Sequence, residues 1–478
     1  MAVMKISLDD SHFHGGSKNN SEKKVSNSES TFVFQKRVPQ ITRKKKKFPT
    51  KLVVILGLVA LVLGLLRVGA GLLQTISPST AGLKTFIPVL KPELKKDSEG
   101  KTNVLLVGID TRESGQVELN TDTIILASYD HETHRLAMLS FPRDLAVQFP
   151  GRSDFTRINS MYAIGERQKK GTGLGKLVEV VSGLSGRDIH YYAMVDLKGF
   201  IDAIDVVGGI SIYLEYDISG LYPTETYGYK KVSFKRGWNE MNGEQALQYS
   251  RIRKGVTPKS EESDFARSRR QQEVIQAVID KAVKNETLLN PTRVMELLGV
   301  ASKNLTVSEF RLEDVQAGVG ILKDKGKPVS YSYVIDLYAG GSVGKLISVI
   351  NFNPYLLGPV QGYGKWAELK KFIALYFTEP SLATMKKTVS VYAGDTASAN
   401  SAKAFQSKYY YAPITVTTNQ KVFGETIPHG RVYAIGGRAY EVTAKFVAKE
   451  LGLQFETEIP EEVKKLFDVK EYGVVAVY

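Results

Sequence analysis

The longest apolar stretch of the chain, Leu52 to Leu66, holds fifteen residues without a polar side chain, and beyond Arg67 it continues through Val68, Leu72 and Leu73 to Ile76. Residues 52–76 therefore have the length of a bilayer-spanning helix, about twenty residues, with Arg67 close enough to one end to snorkel. Gly57, Gly64, Gly69 and Gly71 argue against an ordinary core helix. The long preceding stretch and the lack of a small-x-small site argue against a cleaved leader. The pattern predicts a retained signal anchor.

Further along, the period of the apolar positions alternates between that of strands and that of helices. Strands are predicted at Asn103 to Ile109, Thr123 to Tyr129 and Arg135 to Phe141, the last two joined as a hairpin through Asp130-His131-Glu132-Thr133-His134. A helix over Gly173 to Leu184, a strand over His190 to Val195, a helix over Lys198 to Val206 and a strand over Gly209 to Tyr216 follow. This is the alternation of an α/β domain. Asn242 caps a short helix over Gly243 to Tyr249, and Arg251-Ile252-Arg253 has the period of a strand that turns both guanidinium groups to one face.

The helix beginning near Phe265 carries its apolar stripe through Val274, Ile275, Val278 and Ala282. Extended backwards, that stripe meets Gln271, Arg270 and Arg267. Inward-facing cations require an anion or internal carboxylates, because a buried unpaired charge is expensive. Asp264 is expected as the N-cap of this helix. Helical patterns at Arg293 to Ser302 and Leu312 to Lys323 and a strand at Val329 to Leu337 continue the domain. From Thr388 the pattern restarts: strand to Tyr392, helix Ala397 to Tyr409, strand Ile414 to Thr418, helix Tyr440 to Leu451 and strand Val474 to Val477. This small module has its own pattern, so a chain ending near Pro380 is expected to stay active.

Composition narrows the chemistry. The 478 residues contain no Cys and six His, with no HExxH spacing. Disulfides, thiol nucleophiles, iron-sulfur clusters and Cys- or His-rich metal sites are thereby excluded or disfavoured. Of the net charge of +14, +8 lies in residues 1–51, with twelve Lys/Arg against four Asp/Glu. A nucleic-acid binder would spread such charge over its folded surface, so no nucleic acid is expected as partner. The densest part, Arg43 to Lys47, just precedes the apolar run and places the N-terminus in the cytoplasm, with everything beyond the anchor outside.

The hairpin also fixes a register. If its turn centres between His131 and Thr133, Asp122 faces Arg143 across the ladder, and Asp110 reaches the same edge when the first strand is the antiparallel neighbour. Taken singly, Asp110 or Asp122 reads rather as a strand-end turn residue than as a site residue.

Taken in order, LLVGIDTR (Leu105 to Arg112), TDTIILAS (Thr121 to Ser128), SFPRDL (Ser140 to Leu145), RINSMYAIGE (Arg157 to Glu166), VVGGISI (Val206 to Ile212), MNGEQALQYSRIR (Met241 to Arg253) and DFARSRRQQEVI (Asp264 to Ile275) resemble the LytR-CpsA-Psr family. Glu166 departs from it, standing where the family typically has Gly. The C-terminal module is weakly similar to the LytR C-terminal domain, with Ala393-Gly394 in place of its Asn-Gly turn.

The resemblance implies a mixed-sheet α/β domain flanked by helices, preceded by one transmembrane helix and followed by the small α/β module. The expected organisation is a disordered basic tail at 1–51, the anchor at 52–76, a juxtamembrane linker at 77–102, the phosphotransferase domain at 103–380 and the C-terminal domain at 387–478. The implied activity is transfer of a glycopolymer phosphate from a polyprenyl diphosphate carrier onto peptidoglycan, at the outer face of the cell membrane. Matched position by position, Asp110 and Asp122 hold Mg²⁺ (or Mn²⁺), Asp110, Arg143 and Asp122 form the catalytic set, and Arg112, Arg143, Arg251, Arg253, Arg267, Arg270 and Gln271 cradle the diphosphate. Arginine suits this task because its fork matches phosphate oxygens. The competing readings are a polyprenyl diphosphate hydrolase, which uses the same groups, and a non-catalytic glycan-binding or regulatory envelope protein.

Overall fold

The computed structural model of the protein describes residues 92–110, 119–224, 228–284, 296, 299, 305–307, 312–337, 345–352, 354–418, 428–437, 440–467 and 470–478. The expected tail, the anchor and most of the linker lie outside the described residues, as do Arg112 and most of the helix expected at Arg293 to Ser302. Among the described residues no helix is long and apolar enough to cross a membrane.

Three strands open the fold: Lys101–Ile109 (β1), Thr121–Asp130 (β2) and Arg135–Ser140 (β3) form an antiparallel meander. A ribbon of Ala146–Gln148 (β4) and Phe155–Arg157 (β5) precedes the helices Met161–Gln168 (α1) and Gly173–Ser185 (α2). Glu166 stands inside α1, where its carboxylate accepts from the backbone N–H groups of Gly171 and Gly173, both at 2.9 Å, and so closes the loop into α2.

Tyr191–Val195 (β6) lies parallel to β1, and Leu197–Val206 (α3) leads to Ile210–Leu214 (β7), Ile218–Pro223 (β8), Tyr229–Phe234 (β9) and Gly237–Met241 (β10). Then come Gly243–Arg251 (α4), Lys254–Thr257 (β11), Asp264–Lys284 (α5), Leu305–Val307 (β12), Leu312–Lys325 (α6) and Val329–Val334 (β13). Strands β12-β6-β1-β2-β3-β13 make one mixed sheet, in which β6 and β13 run parallel to their inner neighbours.

A second ribbon, Ile347–Phe352 (β14) with Tyr355–Pro359 (β15), and the helices Ala367–Thr378 (α7) and Pro380–Ala383 (α8) lead to a five-stranded sheet. It is built from Thr388–Tyr392 (β16), Ile414–Thr417 (β17), Arg431–Tyr433 (β18), Gln454–Glu456 (β19) and Tyr472–Val477 (β20), in the order β17-β16-β20-β18-β19. Thr396–Lys408 (α9), Glu441–Leu451 (α10) and Glu461–Leu466 (α11) connect them.

Strand alternation sorts the core into layers. On one face of the six-stranded sheet Leu105, Val107 and Ile109 join a large apolar cluster with Leu177 and Val181. That cluster continues through Phe372, Ile373 and Tyr376 of α7 to Val389, Val391, Val474 and Ala476 of the second sheet. A bridge from Arg135 to the buried Glu379, 2.8 Å long, reinforces this seam. On the other face Ile125 and Met138 meet Leu106 and Ile275, while β7 to β11, α3 and α4 enclose a separate core around Ile212, Phe234 and Tyr249.

Candidate active site

The register predicted from the hairpin is the one observed. Asp130 pairs with Arg135 and Ile125 with Ser140, and beyond the end of that ladder Arg143 Nη1 donates to Asp122 Oδ1 at 3.0 Å. On its other side β2 slips by one residue against β1: Gly108 faces Thr123, but Ile109 faces Thr121. Asp122 is thus the extra residue of a β-bulge, a device that re-aims a side chain at a sheet end. Gly108 is needed beside it, because a Cβ there would stand 2.9 Å from Cβ and Oγ1 of Thr123.

Asp110 follows the last residue of β1 and accepts from Arg251 Nη2 at 2.7 Å. Arg251 is the last residue of α4, not part of a strand as its spacing suggested. The helix is held at its start by a capping box between Asn242 and Gln245, and Ile252, extended and fully buried, ends it. Arg251 and Arg253, on either side of that buried anchor, line the same cavity.

Helix α5 adds Arg267, 5% exposed, whose Nη2 donates to Asp122 O and Asp264 Oδ2, both at 3.1 Å. The cap falls to Ser263, whose hydroxyl accepts from Ala266 N at 2.9 Å, rather than to Asp264. Asp264 is a hub: its carboxylate also lies 3.1 Å from Arg143 Nε and 3.5 Å from Arg253 Nη1. Sequence reasoning missed this role. It missed Asp144 and Arg157 too, which pair at 3.1 Å behind Arg143. The Arg143-Asp144 doublet just past a strand end was the available sign.

Burial raises the Asp122 carboxyl, but Arg143, Arg267 and Arg253 outweigh it and hold the group below the usual carboxylate range. Asp144 moves the opposite way, raised by burial, with Asp264 and Asp122 adding to the effect despite its arginine neighbours. Burial likewise lowers the Arg267 guanidinium from its ordinary value.

These groups edge a cavity of about 460 Å³ between the six-stranded sheet and the layer of α3, α4 and β8. Asp110, Asp122, Arg251, Arg253, Arg267 and Gln271 are among its charged and polar lining, with Asp196 and Lys254. Leu106, Ala193, Val195, Phe200, Leu247 and Ile275 are among its apolar walls. Arg267 Nε is buried with no hydrogen-bond partner among the described residues, a donor awaiting an acceptor.

Two of the expected cradle residues stand elsewhere. Arg143 does not line the cavity and ties the acidic residues together beside it. Arg270 is corrected outright: 1% exposed, it bridges Glu261 Oε2 at 2.7 Å and donates to the carbonyls of Tyr249, Ile252 and Glu261. Its donors serve the fold. The stripe of inward cations thus has both of its expected partners, internal carboxylate for Arg270 and cavity for Arg267.

A pair of carboxylates at the mouth of a cavity is too few to cage a metal, and among the described residues no group of three His, Cys, Asp or Glu stands ready to do so. The pair suits Mg²⁺, which typically binds one or two carboxylates and completes its shell with phosphate oxygens and water.

The chain is similar in sequence to several named bacterial proteins. It is 32% identical to the polyisoprenyl-teichoic acid–peptidoglycan teichoic acid transferase TagU of Oceanobacillus iheyensis over 207 residues, 43% of this chain and 59% of that protein. It is 29% identical to TagU of Bacillus subtilis over 271 residues, covering 55% and 78% of the two chains. It is 31% identical to the regulatory protein MsrR of Staphylococcus aureus over 242 residues, covering 49% and 67%. The match thus spans under two thirds of the Oceanobacillus protein. The LytR_cpsA_psr family model matches residues 78–326, about half the chain and the whole of the cavity, so this protein belongs to the LytR-CpsA-Psr family.

Proposed function

We propose that the protein is a membrane-anchored, extracytoplasmic phosphotransferase that moves a glycopolymer phosphate from a polyprenyl diphosphate carrier onto peptidoglycan. The observation that carries this reading is a single cavity with an apolar body and a rim of arginines and aspartates. A polyprenyl diphosphate has the same division, an isoprenoid chain without hydrogen-bonding groups and a headgroup that needs several cations. Arg251, Arg253 and Arg267 bind the diphosphate through charge-assisted hydrogen bonds, and Arg267 Nε finds its acceptor there. Until the substrate arrives, their partners are Asp110, Asp122 and Asp264.

Asp110 and Asp122 would hold Mg²⁺ or Mn²⁺, which would supply neutralisation of the negative charge on the diphosphate. An acceptor hydroxyl oxygen attacks the phosphorus that bears the glycopolymer, the bond to the bridging oxygen breaks, and polyprenyl phosphate departs with that oxygen and takes up the proton that the hydroxyl gives up. Fixed positive charge and positioning provide most of the acceleration in such transfers. The apolar run at 52–76 provides the anchor in this reading, with the basic residues before it on the cytoplasmic side.

The test uses the full chain in detergent with a lipid-linked glycopolymer donor, Mg²⁺ and peptidoglycan. Asp110→Ala and Asp122→Ala abolish transfer. Arg251→Ala and Arg253→Ala weaken donor capture by about one to two decades, the effect of losing a charge-assisted contact of roughly 1.5 to 3 kcal/mol. Release of free polymer phosphate without attachment to peptidoglycan would make the protein a hydrolase. A folded Asp110→Ala protein that transfers at the parent rate would refute the mechanism.

A further inference from the structure

Strands β9 and β10 follow one another, yet they are not paired to each other: β9 is the edge of the β11-β8-β9 sheet and β10 pairs only with β7. Between them and the start of α4 lies a second cleft, of about 250 Å³. This is below the roughly 300–1,000 Å³ of drug-sized pockets and is suited to a single small ring. Its polar lining comes from Lys230, Lys231, Asn239, Glu240, Gln245 and Gln248. Both lysines are exposed and neither has an ion-pair partner among the described residues.

Next to this cleft, on the outer face of the β7–β10 ribbon, Trp238 and Tyr213 stand directly opposite each other in the ladder. Their rings meet edge to face at 5.5 Å, and the residues are 71% and 52% exposed. The chain has two tryptophans, and the other, Trp366, packs against the main core. Glu240 joins the two features, since it lines the cleft and accepts from Ser211 on the aromatic face. An exposed aromatic pair held rigid by cross-strand packing and bordered by amides has the character of a binding surface.

We infer that this cleft and its aromatic ledge form a glycan-binding site for a carboxylated amino-sugar strand, a second hold on peptidoglycan separate from the transfer cavity. The apolar C–H face of a pyranose stacks on Trp238. Asn239 Nδ2, Gln245 Oε1 and Gln248 Nε2 already bond within the protein, which leaves Asn239 Oδ1, Gln245 Nε2 and Gln248 Oε1 to match hydroxyl and acetamido groups, and Lys230 with Lys231 binds the carboxylate. An anionic membrane would also attract the lysines and aromatics, but it has no use for a concave amide cluster. Naming peptidoglycan as the source of the strand rests on the acceptor reading above. The binding itself does not.

The experiment measures retention of the full chain, in detergent and without donor lipid, on peptidoglycan stripped of secondary polymers. Trp238→Ala is expected to weaken retention about tenfold, the scale of one lost aromatic contact, with Trp238→Phe restoring most of it. Lys230→Gln with Lys231→Gln should abolish the preference for carboxylated strands over chitin oligomers. Transfer to a short soluble acceptor should stay at the parent rate in Trp238→Ala. If the parent itself shows no transfer, the acceptor reading fails while the retention measurements still decide the site. Equal retention of parent and Trp238→Ala would overturn the inference. So would a blue shift of Trp238 emission in Trp366→Phe protein when its nanodisc lipid is changed from phosphatidylcholine to phosphatidylglycerol with no glycan present, because that outcome makes the ledge a membrane contact.

Discussion

In the C-terminal sheet, Val389, Val391, Val474 and Ala476 are wholly buried in one continuous apolar cluster. The six-stranded sheet has an equally apolar face towards α2, but opposite it lies a gap of about 460 Å³ whose lining includes the paired charges of Asp110 and Arg251. Protein interiors normally pack to crystal density, and leaving such a volume unfilled forgoes dispersion contacts. The contrast shows where packing is complete and where a volume has been left open. Side chains of the second sheet should act on folding, and those at the mouth of the first on turnover.

The largest effect follows from the shared cluster. A chain that stops after Ala383 uncovers Phe372, Ile373 and the rest of the seam, and is expected to lose its cooperative thermal transition by near-ultraviolet circular dichroism. The periodicity of the sequence alone led to the opposite expectation, an active truncated chain. An unchanged melting curve would restore that view and make the two sheets independent.

Next in size is a comparison within α5. Arg270→Ala strands Glu261 in the interior and should cost about 3 to 5 kcal/mol in chemical denaturation, as broken buried pairs do. Arg267→Ala, one turn earlier, should mainly reduce capture of the donor lipid, by about one to two decades. The distinction fails if the two variants melt alike.

The smallest effect is acid dependence. The Asp122 carboxyl is held below its ordinary value of about 3.9, so its contribution is complete above the unfolded value and is lost as pH falls through the folded one. The stability advantage of the parent over Asp122→Asn should therefore be constant near neutrality and shrink in acid, as followed by melting temperature between pH 2 and 7. A gap that widens in acid would contradict the charge arrangement.

Much of this was legible in the sequence, for local reasons. A short polar turn fixes a hairpin register, so the Asp122–Arg143 pair could be placed before any coordinates, and helical periodicity sufficed to turn Arg267 and Arg270 inward. What escaped was decided by partners that no helix or strand period relates. Arg270 meets Glu261 through the loop preceding its own helix. Ser263 and Asp264 are both competent caps, and the Asp264 carboxylate meets Arg143 and Arg253 from elsewhere as well as Arg267 of its own helix. The cleft between β9 and β10 depends on two consecutive strands not pairing, which no periodicity reveals.

The slip in register at Asp122 has an implication for how this sheet can vary. Remove that one residue and Gly108–Thr123 and Ile109–Thr121 become successive rungs of an unbroken ladder. The shortened strand would be the more regular structure and would lack a carboxylate at the mouth. For β2, a one-residue deletion would therefore regularise the backbone while, in the proposed reading, removing a group that transfer needs, and a survey of expression and folding alone would score it as harmless.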